Sequence, residues 1–220
     1  MGDRELLDEQ IRYYRARASE YDATSPGGHD PFEPDLDQAR RALRAFAPRG
    51  RVLELAAGTG LWTGILADLA DELVATDASP EMLALNRGKV GERRNVRYEV
   101  ADAFDVGGEA FDVIFFGFFL SHVPHDRFDA FWATLRRRLA PGGRVFFVDE
   151  AEHGLWREDW IDEGAGIVRR TLTDGTEHRA VKVLWRPEAL GTRLIGLGWH
   201  AAIQASGPFY WGSGVPISPG

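Results

Sequence analysis

Apolar positions recur every three or four residues near the start of the chain. Leu7, Ile11, Tyr14, Ala18 and Tyr21 share one face of a helix predicted over 4–20. Ser25, Pro26, Gly27 and Gly28 break it, and a second helix follows over 35–46, ending at Pro48. The pattern then changes to short apolar runs alternating with amphipathic ones. Residues 52–55 read as a buried strand, and Leu61, Ile65 and Leu69 mark a helix opening at Leu61. Strand 73–77 comes next, then a helix capped by Ser79 with Pro80 at its first position. Strands are predicted at 95–100 and 111–116. A helix from Pro124 carries Phe128, Phe131, Trp132, Leu135 and Leu139 on one face, and a fifth strand spans 144–148. Strands alternating with helices predict an α/β fold with a mostly parallel sheet covered on both faces. Beyond 150 the rhythm is lost. Asp174-Gly175 between 169–173 and 176–184 is a two-residue hairpin signal. A helix over 187–197 ends at Gly198, and 201–205 with 208–211 supply the last strands.

The segment RVLELAAGTG at 51–60, with Asp77 closing the second strand, carries the chemistry. The small residues from Ala56 to Gly60 let the backbone turn sharply and approach a ligand closely. A strand, a glycine turn, a helix and a second strand ending in an acid describe a nucleotide site at the carboxyl end of a parallel sheet. Asp77 is placed to take both hydroxyls of a ribose. Glu54 sits inside an apolar strand, where an unpaired charge is costly, so a positive ligand group or a water network is expected beside it. A dinucleotide fingerprint needs a third glycine, and Gly58-Thr59-Gly60-Leu61-Trp62-Thr63 lacks it. No Gly-Lys-Ser/Thr follows the turn, so a triphosphate cradle is not indicated. A cationic end and a free ribose are features of S-adenosylmethionine, which also carries a sulfonium.

On these residues the chain resembles the class I S-adenosylmethionine-dependent methyltransferases of small-molecule type. The resemblance covers about 13–211, with specific motifs only in 51–148. It implies a Rossmann-like, doubly wound, seven-stranded, mostly parallel sheet with an antiparallel last strand. Residues 1–48 would form an N-terminal helical cover and 49–150 the cofactor-binding core. Residues 151–220 would complete the same domain with an insertion, a hairpin and the C-terminal strands. The implied cofactor is S-adenosylmethionine, released as S-adenosylhomocysteine. Glu54 and the backbone of Ala56, Gly58, Thr59 and Gly60 would hold its methionine part, and Asp77 its ribose. Met82 would pack on the adenine, with Asp102, Ala103 and Phe104 at its edge. Tyr14 and Tyr21 are similar to the family's N-terminal tyrosine motif, which closes over the methionine end. Trp62, Ala78, Gly117 and Phe118 complete the expected cofactor set.

The fourth strand runs into Gly117, Phe118, Phe119 and Leu120, where amide-methylating members carry Asn/Asp-Pro-Pro-Tyr/Phe. An apolar, aromatic pocket is expected instead, suited to a small organic acceptor methylated on oxygen or nitrogen. Phenylalanine rings there would also face the sulfonium, a cation that aromatic faces attract. His122, just past this strand, is the candidate general base, with His125 weaker. Asp149, Glu150 and His153 follow the fifth strand and read as solvated loop groups within reach of the acceptor. Trp156 and Trp160 are candidates for a lid wall or a dimer patch.

The chain has 220 residues, enough for one domain with a full core. Its net charge of −8 disfavours a nucleic-acid surface, where phosphate contacts dominate. The basic run Arg136–Arg138 falls late in a helix, where cations favour the dipole. Of 26 basic residues only Lys89 and Lys182 are lysines, which reads as the habit of a GC-rich bacterial genome. The absence of cysteine removes disulfides, thiolate metal sites and cysteine-held clusters, and no metal is expected. No apolar run approaches the roughly 20 residues that span a bilayer, and the N-terminus has no apolar signal core. A cytoplasmic protein, monomer or homodimer, is expected, without a membrane partner. Two other readings stay open: an NAD-linked oxidoreductase on a related fold, and a non-catalytic protein that binds S-adenosylmethionine to regulate a partner.

Overall fold

A computed structural model describes residues 3–21, 31–105, 107–108, 110–152 and 158–217. The predicted breaker at 25–28, and His153 and Trp156, lie outside the described residues. Helices α1 (Asp3–Arg17) and α2 (Glu33–Phe46) precede the first strand. The core then runs β1 (Arg51–Leu55), α3 (Thr63–Leu69), β2 (Glu72–Asp77), α4 (Pro80–Val90), β3 (Val96–Val100) and β4 (Phe111–Gly117). A 3-10 turn at Leu120–His122 leads to α5 (Phe128–Arg138) and β5 (Leu139–Glu150). The tail holds β6 (Trp160–Asp162), β7 (Ile167–Thr171), β8 (Glu177–Val181), α6 (Pro187–Gly196), β9 (Trp199–Ser206) and β10 (Phe209–Pro216).

The main sheet has seven strands in the order β3-β2-β1-β4-β5-β10-β9. β1 to β5 are parallel, and β10 pairs antiparallel with both β5 and β9. This is the expected Rossmann-like sheet. Side-chain alternation divides its two faces. Val52, Val113, Phe115, Phe146, Val148 and Trp211 pack with Leu36, Leu43 and Leu66 of α2 and α3. Leu53, Ile114, Phe116, Val145, Phe147 and Tyr210 pack with Trp132, Leu135, Leu190 and Leu194 of α5 and α6. The chain leaves β1 in opposite directions, toward β3 on one side and β5 on the other. The crevice beyond the carboxyl ends of β1 and β4 is therefore the topological switch point where such sheets bind ligands.

Two helices start later than the sequence pattern suggests. α3 begins at Thr63 because 58–62 are spent in turns that close the glycine loop. α5 begins at Phe128 because the 3-10 turn and a second turn, closed by Arg127 N–H on the Pro124 carbonyl, come first. A hairpin forms at Asp174-Gly175, but its loop has three residues, 173–175, between Leu172 and Thr176 rather than the expected two, with Gly175 at φ 86°. The hairpin belongs to a separate three-stranded sheet, β6-β7-β8.

The outer edge of β8 is closed by side chains rather than by another strand. Arg179 N–H donates to Glu9 Oε1 at 2.7 Å and Val181 N–H to Gln10 Oε1 at 2.8 Å. Val181 carbonyl accepts from His122 Nδ1 at 2.7 Å, and Val183 N–H donates to the Ser121 carbonyl at 2.7 Å. An open edge carries unpaired backbone groups. Satisfying them this way binds α1, the small sheet and the 3-10 turn to one another above the crevice. Arg136, in the basic run of α5, is structural, since its guanidinium donates to the carbonyls of Leu197, Gly198 and Ile217. Among the described residues no helix is long and apolar enough to cross a membrane.

Candidate active site

The loop after β1 curls through three positive φ values: Ala56 at 50°, Gly58 at 52° and Gly60 at 94°. Ala57 N–H reaches the Thr76 carbonyl at 2.9 Å, which ties the loop to β2. Asn86 on α4 holds it from the other side, donating to the carbonyls of Ala57 and Gly58 at 3.3 Å each and to Thr63 Oγ1 at 2.8 Å. Gly60 does not line the cavity. A Cβ there would stand 2.8 Å from Asn86 Oδ1, so the glycine makes room for this clamp. Gly60→Ala combines that clash with a left-handed φ and should cost about 1–3 kcal/mol of stability, read from the urea midpoint.

Asp77 has both oxygens anchored by backbone donors. Gly58 N–H lies 2.9 Å from Oδ2 and Ser79 N–H 2.8 Å from Oδ1. Burial raises its pKa, while the donors at Ser79, Gly58 and Ala78 and the charge of Arg15 pull it back. The carboxylate is thereby fixed, with its remaining lone pairs toward the cavity it lines.

Glu54 is the electrostatic anomaly. It is 1% exposed, and among the described residues neither carboxylate oxygen has a hydrogen-bond partner. Burial pushes its pKa up to about 8; Thr63 tempers the rise and the nearby charge of Asp77 adds to it. A cationic ligand group in the cavity would satisfy it. Close packing shapes the wall beside it. Any Cβ on Gly117 would meet Trp62 Nε1 at 2.4 Å, so only glycine lets the indole lie across the end of β4. Phe118 follows at φ 56°, a strained value for a bulky residue, held by its N–H on the Val148 carbonyl at 2.8 Å. Such strain clusters at functional sites.

The same cavity is lined by Met82, Ala78, Asp102, Ala103 and Phe104, and on its far side by Leu7, Gln10, Ile11, Tyr14, Tyr21, Phe119 and His122. Asp102 Oδ1 accepts from Phe104 N–H at 2.9 Å, forming the turn that presents this segment. Arg15 donates to the Ala78 carbonyl at 2.8 Å and fastens α1 to the loop after β2. Tyr21 lies behind Tyr14 with the Arg17 guanidinium 4.7 Å from its ring centre.

Tyr14 and His122, 108 positions apart, are joined at 2.8 Å between Oη and Nε2. The Val181 carbonyl can only accept, so Nδ1 carries the imidazole proton. Burial, reinforced by the charges of Lys182, Arg170 and Arg17, pushes His122 down to about 3, so the ring is neutral. Nε2 is therefore an acceptor and the Tyr14 hydroxyl donates to it. Both His122 nitrogens are committed, and Tyr14 Oη is the atom with free lone pairs.

Asp149 and Glu150 belong to the end of β5 and are not solvated loop residues. Asp149 is fully buried and accepts from Ser121 N–H at 2.8 Å and Glu150 N–H at 2.7 Å. Burial raises its pKa to about 6 against the pull of Lys182. Its contact with Ser121 pins the turn that carries His122. Glu150 is paired with Lys182. His125 faces Trp185, and Trp160 opens β6 opposite Val168. Sequence reasoning missed Leu7, Gln10 and Ile11 as cavity residues, and Asn86 as the loop's clamp. The helical stripe contained Leu7 and Ile11, but nothing local marked what they cover.

A family model described as a methyltransferase domain matches residues 52–143. An uncharacterized methyltransferase of Staphylococcus carnosus is 31% identical over 158 residues, 70% of this chain and 74% of the relative. Among solved structures, DhpI bound to S-adenosylhomocysteine superimposes with a TM-score of 0.85 at 41% identity, covering 99% of this chain and all of the other. DhpI with S-adenosylmethionine and HEP gives 0.84 at 40% identity, covering 98% and 100%. The chain belongs to the class I S-adenosylmethionine-dependent methyltransferases. It is an enzyme that uses S-adenosylmethionine and releases S-adenosylhomocysteine.

Proposed function

We propose that the protein methylates oxygen or nitrogen of a small organic metabolite bound between α1 and the end of β4. The single observation that carries this reading is the Tyr14–His122 pair, which turns an oriented hydroxyl oxygen into a part of the cavity that Leu7, Gln10, Ile11 and Phe119 also line. The crystallisation of DhpI with HEP as well as S-adenosylmethionine supports a second ligand in this architecture.

Glu54 holds the cationic amino-acid end of the cofactor, Asp77 its ribose, and Met82 with Asp102, Ala103 and Phe104 its base. Ala56, Gly58, Thr59 and Ala78 supply the backbone cradle, with Trp62, Gly117 and Phe118 as its wall and Tyr21 at its mouth. When bound, S-adenosylmethionine supplies an electrophilic methyl group; the carbon–sulfur bond breaks with its electron pair left on sulfur. A lone pair of the acceptor forms the new bond, and the acceptor's proton, aligned by Tyr14 Oη, is lost to water.

Magnitudes decide what Tyr14 and His122 contribute. At pH 7 a full proton on a ring of pKa about 3 is uphill by roughly 5 kcal/mol. The pair acts by orienting the acceptor's O–H or N–H rather than by storing its proton. Alignment of two reactants is worth on the order of 7–11 kcal/mol, enough to dominate.

Asp77→Ala should weaken S-adenosylmethionine binding by about 1.5–3 kcal/mol, measured by calorimetry. An unchanged affinity would remove the ribose role. Transfer of label from S-adenosylmethionine to a panel of hydroxyl and amine metabolites tests the function itself. A protein that binds the cofactor but methylates no member of a broad panel would favour the regulatory reading.

A further inference from the structure

Gln10 is 6% exposed, yet it lines the cavity. Its Oε1 accepts from Val181 N–H at 2.8 Å. A backbone N–H can only be met by the oxygen, so this bond fixes which way round the amide sits. The NH2 group is turned off the strand, and among the described residues Nε2 has no hydrogen-bond partner. The nitrogen is open to the cavity, so an acceptor that a ligand brings there would take the place of water on it.

Tyr14 lies four residues further along the same helix. Side chains at that spacing stand side by side, about 5–6 Å apart at Cβ. Because His122 takes the Tyr14 proton, Oη offers only lone pairs to the cavity. Val181 organises both groups: its N–H holds Gln10 and its carbonyl holds His122, on the same edge of β8. A fixed donor and a fixed acceptor thus stand together in a pocket framed by Leu7, Ile11 and Phe119.

We propose that Gln10 and Tyr14 form a two-point fork that selects the methyl acceptor. It takes compounds carrying an oxygen lone pair three or four bonds from the hydroxyl or amine nitrogen that is methylated. Gln10 Nε2 donates to that oxygen, and the nucleophile's own proton points to Tyr14 Oη. The class is α-hydroxy and α-amino carbonyl compounds and their ortho-substituted aromatic counterparts. A simple alcohol or amine leaves the amide unsatisfied and is disfavoured for that reason. This inference rests on the proposed methyl transfer to oxygen or nitrogen.

Matched pairs test it with the full chain: salicylamide against phenol, and 2-aminobenzamide against aniline, each with S-adenosylmethionine. The carbonyl-bearing member of at least one pair should be preferred about tenfold or more in kcat/KM. Gln10→Glu keeps an oxygen for Val181 N–H but removes the donor. It should erase that preference through a higher KM while the S-adenosylmethionine Kd stays within threefold. A purely structural Gln10 would leave the ratio unmoved. Equal use of both members, a preference that survives Gln10→Glu, or weakened cofactor binding in that variant overturns the fork. So does transfer to none of the four compounds by a preparation that methylates panel members lacking such an oxygen. Transfer to no compound at all, with cofactor still bound, overturns the proposed function instead.

Discussion

Tyr14→Phe should lower kcat by about 10²-fold and leave the S-adenosylmethionine Kd within a factor of about three. The phenylalanine ring keeps the packing against Tyr13, Tyr21 and His122. What disappears is the one cavity-facing oxygen whose direction is fixed by a neutral His122. Small misplacement of a nucleophile from its line of attack costs on this scale. Because His122 is pushed down to about 3, it stays neutral from pH 5 to 8. The wild-type rate should therefore show no inflection near the ordinary histidine pKa of about 6.5. A Tyr14→Phe variant that turns over normally but binds the cofactor poorly would return Tyr14 to the cofactor side.

Glu54→Gln carries the second large effect, and it acts with opposite signs on stability and on binding. In the ligand-free protein Glu54 titrates at about 8, against 4.5 for the ordinary side chain. Between those values the folded state holds a proton that the unfolded state has lost. Stability therefore falls as pH rises from about 4.5 to about 8. Glutamine cannot ionise, so the variant should lose this fall and melt higher than wild type at pH 8. Binding moves the other way. Removing one partner of a buried charge pair costs about 2–5 kcal/mol, so the variant should bind S-adenosylmethionine roughly 30-fold to several thousand-fold more weakly. In the wild type, a cation arriving beside a protonated Glu54 drives its proton off. Titrations at pH 7 in buffers of different ionisation enthalpy should report close to one proton released per cofactor bound. No proton release, together with wild-type affinity in Glu54→Gln, would show that the carboxylate faces no cationic group.

The cofactor side was readable because its signals are local. The apolar run before Ala56, the small residues through Gly60, and the acid at the end of the next strand all lie within 51–77. The parallel sheet follows from alternation over the same scale. Gly60 shows the limit of such reading: its sequence setting points to a ligand, whereas its space is taken by Asn86, 26 positions away. The proposed acceptor side was less legible because long-range contacts make it. Gln10 is an unremarked polar residue beside a helical stripe until β8 covers it, 171 positions on. Asp149 looks like a strand-end loop acid until the Ser121 N–H turns to meet it. The Asp174-Gly175 turn was plain, but no local pattern says that its hairpin forms a separate sheet whose edge is closed by α1 and His122.

One cavity, between α1 and the carboxyl ends of β1, β2 and β4, is expected to seat the whole of S-adenosylhomocysteine with its sulfur toward Tyr14. A crystal structure with that product bound tests it most directly. The expected result is the ammonium against Glu54, the ribose hydroxyls on Asp77, the adenine at Met82 and Phe104, and open space between the sulfur and the Tyr14 hydroxyl. A ligand lodged elsewhere, or one whose sulfur faces away from Tyr14, would contradict it.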